Sequence, residues 1–346
     1  MLATTVASHL FAVSLCLSSH AQLRVDREYF GVGRPVALGV SIPSDLAGEA
    51  RIELHQPGAE RPLASAPVIA GQANLASLLP GLWADKSPKV RYAQLVVGET
   101  PVGAPLVLVP MINPPIAKLF DAQAGLVWMI DPATGKPNDA DPRRATVLFT
   151  PDEAPCYTGL RIYPDQHAVL VTSLGDIEFR LRPDHAPNTV ATFRSLAAGG
   201  FYTDVIFHRV AAVTRTGDPF VVQVGDPSGT GDGGPGFNID LEDSKLPHDF
   251  GVLSMARNTD PNTNGSQVFI CLSRAGTSRL DGRYTAFAEA VSGTDVILAL
   301  AASPVREGTD RPVEPPVLHT VKLVDAPPYG QSPPPVTRPA PNDGRR

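Results

Sequence analysis

Apolar side chains take every second position at Val36, Leu38, Val40 and Ile42, and Ile52 and Leu54 alternate with Arg51 and Glu53. A period of two is the mark of a strand with one buried face. Residues 90–97 and 106–109 are further short, mainly apolar runs, and Pro and Gly punctuate the intervals between these segments. Residues 22–110 therefore read as a small β-sandwich, with an immunoglobulin-like arrangement as one option. Trp83, near Leu79 and Leu82, fits a core aromatic better than a binding patch. Residues 111–160 are mixed, with a strand pattern at 126–130 and turn signals at 131–135 and 138–142, and read as a connector carrying some structure.

From residue 161 to 325 the rhythm changes. Segments 168–172 and 176–181 alternate about Ser173-Leu174-Gly175 and predict an antiparallel hairpin. Asn188 offers a cap to a short helix whose Val190, Phe193, Leu196 and Ala197 form one apolar stripe, closed by Gly199-Gly200. Strands are predicted at 205–210, 220–224, 251–255, 267–272 and 285–290, then a helix at 294–302 and a strand at 318–324. Many strands, two helices and no parallel βαβ rhythm predict a mainly β fold, a closed antiparallel barrel capped by two helices.

The ends read differently. Residues 10–17 are apolar, and Ser19 and Ala21 supply small residues before Gln22, so residues 1–21 read as a signal peptide and the protein as exported, to the periplasm, cell surface or exterior. No Lys or Arg precedes the run, which is too short to span a membrane; no membrane span is expected after its removal. The tail, residues 326–346, holds seven prolines and is expected to be extended and disordered.

Composition narrows the function classes. Lys plus Arg number 29 against 35 Asp plus Glu, a formal charge of -6, which argues against a nucleic-acid partner. Pro, at 36 of 346 residues, is about twice as frequent as the usual ~5%. With the leader removed, Cys156 and Cys271 remain. A buried thiol is the default for Cys271, and pairing between the two stays open. The His residues show no ligand spacing, so neither a metal nor another cofactor is assigned.

Five blocks carry the chemistry: Phe207-His208-Arg209-Val210; Phe220-Val-Val-Gln-Val-Gly-Asp226; Gly251-Val-Leu-Ser-Met-Ala256; Asp260-Pro-Asn-Thr-Asn-Gly-Ser-Gln-Val-Phe-Ile270; and Leu280-Asp-Gly-Arg-Tyr284 with Phe287. In this order they resemble the cyclophilin peptidyl-prolyl cis-trans isomerases, over less than half the chain. The resemblance implies a cyclophilin-like barrel and proline-containing peptides and folding proteins as partners. Arg209 would be the catalytic donor to the prolyl nitrogen, with Gln223 orienting it or holding the peptide and Gln267 in support. Phe220, Val221, Phe269 and Leu280 would line the proline pocket, Ala256 and Arg257 the groove, and Tyr284 the pocket edge. His208 reads as structural.

Departures from the family pattern qualify this. Residues 211–219 make a longer excursion beside Arg209, Val221 stands where Met is frequent, Arg279 where some members carry Trp, and Tyr284 where some carry His. The more polar rim implies weak cyclosporin binding. A second function class, a prolyl-peptide binding module without turnover, is the alternative. Gly229-Thr-Gly-Asp-Gly-Gly234 matches a dinucleotide fingerprint, but Pro235 follows instead of a helix, so a surface turn is expected. Asn264-Gly265-Ser266 is a glycosylation sequon that reads more simply as a tight turn.

Overall fold

The computed structural model describes residues 22–113, 118–121, 126–131, 136–137, 146–148 and 156–340. The leader pattern and most turn signals of the connector lie outside them.

In the first module, strands Leu23–Val25, Ala37–Val40 and Gly71–Asn74 form one antiparallel sheet. Tyr29–Gly31, Cys156–Pro164, Thr100–Asn113, Arg91–Val97, Ala50–His55 and Ala64–Pro67 form another, in that order. Val36, Leu38 and Val40 share one core with Ile52, Leu54, Ala93, Leu95, Leu160 and Ile162, as the alternation predicts, and Trp83 packs against it. Strand Cys156–Pro164 pairs with Thr100–Asn113 and Tyr29–Gly31, so the boundary expected at 160/161 falls inside an element of the first module. Leu126–Asp131, where a strand is expected, sits in a separate antiparallel sheet with Lys118–Asp121, Lys136–Pro137 and Thr146–Leu148.

Strand Arg91–Val97 is buried along its whole length, the polar Arg91 and Gln94 included, because both faces are covered. Ala93 and Leu95 enter the core, while Tyr92 joins Val90, Val107, Val109 and Tyr163 in a second cluster against which Tyr329 packs. Tyr329 comes from the tail, and here the expectation of disorder is corrected. Its ring stacks on His55 at 4.6 Å, and its N–H donates to the buried Gln94 Oε1 at 2.8 Å. Farther along, the Val336 N–H donates to the Ala290 carbonyl at 2.8 Å. The prolines give the tail no core of its own, but they keep it extended enough to dock on cores built by others.

The second module is a nine-stranded antiparallel sheet. Its order is Val205–Ile206, Val317–Asp325, Gln166–Thr172, Gly175–Leu181, Ala286–Ala290, Val252–Met255, Val268–Cys271, Pro219–Val224 and Arg209–Val213. The predicted hairpin is present with Thr172 opposite Gly175. The sheet curls around a core that includes Phe179, Phe193, Phe207, Ile270 and Phe287, but it is open, not a closed barrel. The segment expected as one strand over 205–210 breaks at Phe207-His208, and its two halves become opposite edges. Their backbone groups are met by the 303–316 loop instead of by each other: Phe207 N–H donates to the Pro316 carbonyl at 2.8 Å and Val210 N–H to the Asp310 carbonyl at 2.7 Å.

Helices Pro187–Ala198 and Thr294–Ala301 lie where the sequence puts them, but the expected cap differs. Asn188 lies inside its helix, and the Glu242 carboxylate accepts the Asn188 and Thr189 N–H groups at 3.0 and 2.7 Å. A distant carboxylate thus caps orphan donors at the positive end of the helix dipole.

The glycine-rich segment is more than a surface turn. It winds about the fully buried Asp226, whose carboxylate accepts from Ser228 N, Ser228 Oγ, Thr230 Oγ1 and Gly231 N at 2.6–3.3 Å. Gly233 packs on the same group: a Cβ there would lie 1.9 Å from Asp226 Oδ1. Burial alone would raise the Asp226 carboxyl, but hydrogen bonds from the Ser228 hydroxyl and the loop N–H groups hold it well below the usual carboxylate range.

Two outcomes follow from these anchors. Tyr329→Ala is expected to lower unfolding free energy by about 2 kcal/mol, from lost ring packing; denaturant melts indistinguishable from wild type would contradict the docked tail. Because the Asp226 carboxyl is depressed on folding, its stabilisation is complete above the unfolded value of about 3.9 and fades as pH falls below it. Asp226→Asn should therefore cost about 1–3 kcal/mol at pH 7, with the gap to wild type narrowing as pH drops below about 4. A gap independent of pH would exclude the ionised anchor.

Candidate active site

Three neighbouring strands set the site by register. Arg209 pairs with Gln223, Gln223 with Phe269, and Phe269 with Ser254; the next row is Ala211, Val221 and Cys271. Successive residues of a strand face opposite ways. Val210, Val222, Val224, Val268 and Ile270 enter the main core. Ala211, Val221, Phe269 and Cys271 form a separate apolar cluster on the opposite face with Leu280, and Phe220, Ala256 and Tyr284 pack against it.

Arg209 stands beside this apolar slot with its side chain 40% exposed. Its Nη1 donates to Gln223 Oε1 at 3.3 Å and its Nε to Asp310 Oδ2 at 3.0 Å. Gln223 Nε2 donates to Gln267 Oε1 at 2.8 Å, and Gln267 Nε2 donates to the Gly231 and Gly233 carbonyls, each at 2.8 Å. The chain has one direction. A guanidinium only donates, which fixes the Gln223 amide, and the terminal carbonyls only accept, which fixes the Gln267 amide. The glycine loop around Asp226 thus orients Arg209 through two amides, and Arg209 Nη2 has no acceptor among the described residues.

A cleft of about 570 Å³ adjoins the slot, bounded by Gln223, Gln267, Ala256 and Arg257 on one side and by residues 231–238 of the glycine loop on the other. Arg257 lies over the Tyr284 ring at 4.5 Å and donates through Nε and Nη2 to the Arg283 carbonyl. All ten residues expected at the site from the sequence thus belong to the slot, the adjoining cleft or the relay between them. His208, expected to be structural, is buried, and that burial lowers its basicity. The longer segment after Arg209 continues as a hairpin, with Val213 opposite Pro219 and the turn tied by Thr214 N–H to the Asp218 carbonyl at 2.7 Å.

Four further residues were not legible as site components. Asp310, from the loop that covers the sheet opening, fixes Arg209 and carries no motif signal. His248 lies parallel to Phe269 with ring centroids 6.1 Å apart, bonded at Nδ1 to Asp281 Oδ1 at 3.0 Å and at Nε2 to Ser254 Oγ at 2.9 Å. Burial lowers the His248 pKa, which favours the neutral ring; Nδ1–H then donates to the carboxylate and Nε2 accepts the Ser254 hydroxyl. Ser254 and Asp281 lie inside motif blocks, so a stricter reading of those blocks would have found them. The sequon is neither the expected tight turn nor an accessible glycan acceptor: Asn264 forms an isolated antiparallel bridge with Ile239, is fully buried, and donates through Nδ2 to the Pro261 carbonyl at 2.9 Å. Cys156 is exposed, Cys271 is buried, and both are free.

Residues 167–323 match the family model for cyclophilin type peptidyl-prolyl cis-trans isomerases. Peptidyl-prolyl cis-trans isomerase ppi1 of Schizosaccharomyces pombe is 44% identical over 160 residues, 45% of this chain and 96% of that protein. Peptidyl-prolyl cis-trans isomerase B of Streptomyces anulatus is 38% identical over 173 residues, 45% of this chain and 94% of that protein. A crystal structure of a cyclophilin type isomerase of Cryptosporidium parvum aligns with a TM-score of 0.43 and 32% identity over 47% of this chain and 99% of that one. Among relatives of this kind, matched almost end to end by its second module, the chain belongs to the cyclophilin-type peptidyl-prolyl cis-trans isomerases.

Proposed function

We propose that the protein accelerates X-Pro interconversion in exported client proteins, with Arg209 as the catalytic donor and the Phe269 slot as the seat of the proline ring. The cross-strand row that sets a relayed guanidinium beside an apolar slot carries this reading. Resonance in the imide imposes a barrier of about 18–20 kcal/mol. As the bond twists, the nitrogen becomes pyramidal and gains a lone pair able to accept a hydrogen bond. A donor held there binds the twisted state more tightly than either planar isomer, which is the condition for catalysis. No proton is transferred and no covalent bond is made.

A charge-assisted hydrogen bond contributes about 1.5–3 kcal/mol, roughly one or two decades of rate. The rest comes from positioning. Phe220, Val221, Phe269 and Leu280 would hold the ring and exclude water, strengthening the field of Arg209. Gln223 and Asp310 would fix its fork, and Ala256, Arg257 and Tyr284 would border the peptide. The export assignment rests on the apolar run and small residues of the leader pattern. The first module would localise the enzyme or hold clients.

Arg209→Ala should lower kcat/KM on a proline tetrapeptide about ten- to a hundredfold with unchanged circular dichroism. Arg209→Lys should recover little of this, because a mobile ammonium lacks the planar fork. Equal rates for wild type and Arg209→Ala would sink the mechanism. Cyclosporin should bind weakly, since Arg279 presents an exposed charge at the rim; titration calorimetry giving low-nanomolar affinity would contradict this.

A further inference from the structure

Two walls of the slot carry an arginine stacked on an aromatic face. Arg279 Cζ lies 4.7 Å from the Phe220 ring centroid, and Arg257 Cζ lies 4.5 Å from that of Tyr284. Two other cations near the site have carboxylate partners, Arg209 with Asp310 at 3.0 Å and Arg274 with Asp281 at 2.6 Å. Arg279 and Arg257 do not, among the described residues. Arg279 is exposed, with the ring as its partner. Arg257 donates to the main-chain carbonyls of Asn258, Thr259 and Arg283. Arg283, exposed and adjacent in sequence to Tyr284, adds a third cation.

Nearby acids are engaged elsewhere. Asp218 Oδ2 accepts from Thr216, Asp260 Oδ1 from the Asn262 N–H, and the two Asp281 oxygens from His248 and Arg274. A chain with a formal charge of -6 thus concentrates positive charge around one apolar slot. Stacking holds each guanidinium by its face; the edge of Arg279 still offers paired donors that match a carboxylate, while Arg257, already donating through Nε, Nη1 and Nη2 to main-chain carbonyls, adds a charge with no carboxylate beside it among the described residues.

We propose that the slot selects prolyl peptides bearing an Asp or Glu close to the proline, with Arg279 and Arg257 as the specificity-determining residues. This rests on the isomerase reading and adds the chemical class of client. Acidic flanks would be attracted to the rim, and basic flanks repelled.

The test uses the full chain and prolyl peptides carrying Ala, Glu or Lys at the positions immediately before and after the Ala-Pro unit, with isomerisation followed by NMR exchange. Glu peptides should exceed Lys peptides in kcat/KM by about fivefold at low salt, or about 1 kcal/mol at 1.4 kcal/mol per decade. The ratio should shrink near 1 M NaCl, where the screening length is about 3 Å. It should fall in Arg279→Gln and approach one in the Arg257→Gln, Arg279→Gln double variant. Equal rates for Glu and Lys peptides on wild type, or a ratio that survives the double variant, would overturn the proposal. Turnover of the Ala peptide tests the isomerase reading separately. Were that turnover absent, NMR titration with the Glu and Lys peptides would read the same preference as a ratio of dissociation constants.

Discussion

The register between strands Arg209–Val213, Pro219–Val224 and Val268–Cys271 is the constraint on which the site depends. It puts Arg209, Gln223 and Phe269 in one row because Val210, Val222 and Ile270 must lie on the opposite face, in the core. A slip of one residue in any of these strands would exchange the faces. In strand Arg209–Val213 it would carry a guanidinium into a hydrocarbon interior, where an unpaired charge costs far more than a domain can spare. Burial of plain aliphatic residues therefore fixes the placement of Arg209.

Direction is the second constraint. The relay from Arg209 through Gln223 and Gln267 to the glycine-loop carbonyls admits one arrangement of its amides, and that loop is in turn fastened to a buried, ionised Asp226. On the other side, Asp310 belongs to the loop that covers the opening in the sheet. The same loop sends Arg311 Nη1 to the Gly229 carbonyl at 2.6 Å. The segment that completes the edge of the fold thus ties the arginine and the glycine loop together.

The parts legible in the sequence share a physical cause. The 168–181 hairpin and the strands around the slot follow from period-two alternation, and the motif blocks supply the face that alternation leaves polar or aromatic. What was not legible depends on contacts between distant segments. An open sheet and a closed barrel share the same strand pattern, and the choice falls to loop 303–316, whose carbonyls satisfy the two edges. The helix cap is Glu242, 54 residues from Asn188. The tail reads as disordered because its composition offers no core, yet Tyr329 and Val336 enter cores made elsewhere. The strand Cys156–Pro164 has its partners in the first module, which no local pattern announces.

The two modules meet through charged and aromatic contacts as well as through the tail. Arg194 of the second module lies 3.8 Å over the Tyr163 ring, and Arg161 Nη2 donates to the Pro187 carbonyl at 2.6 Å. The first module is therefore held against the isomerase by more than its connecting chain. A crystal structure with a bound Xaa-Pro peptide tests most directly whether one guanidinium and one apolar slot act together. An Arg209-centred mechanism predicts the proline ring against Phe269 and a guanidinium nitrogen within about 3.2 Å of the prolyl nitrogen or its carbonyl. A peptide seated away from Phe269, or with Arg209 turned wholly toward Asp310 and out of reach of the imide, would contradict it.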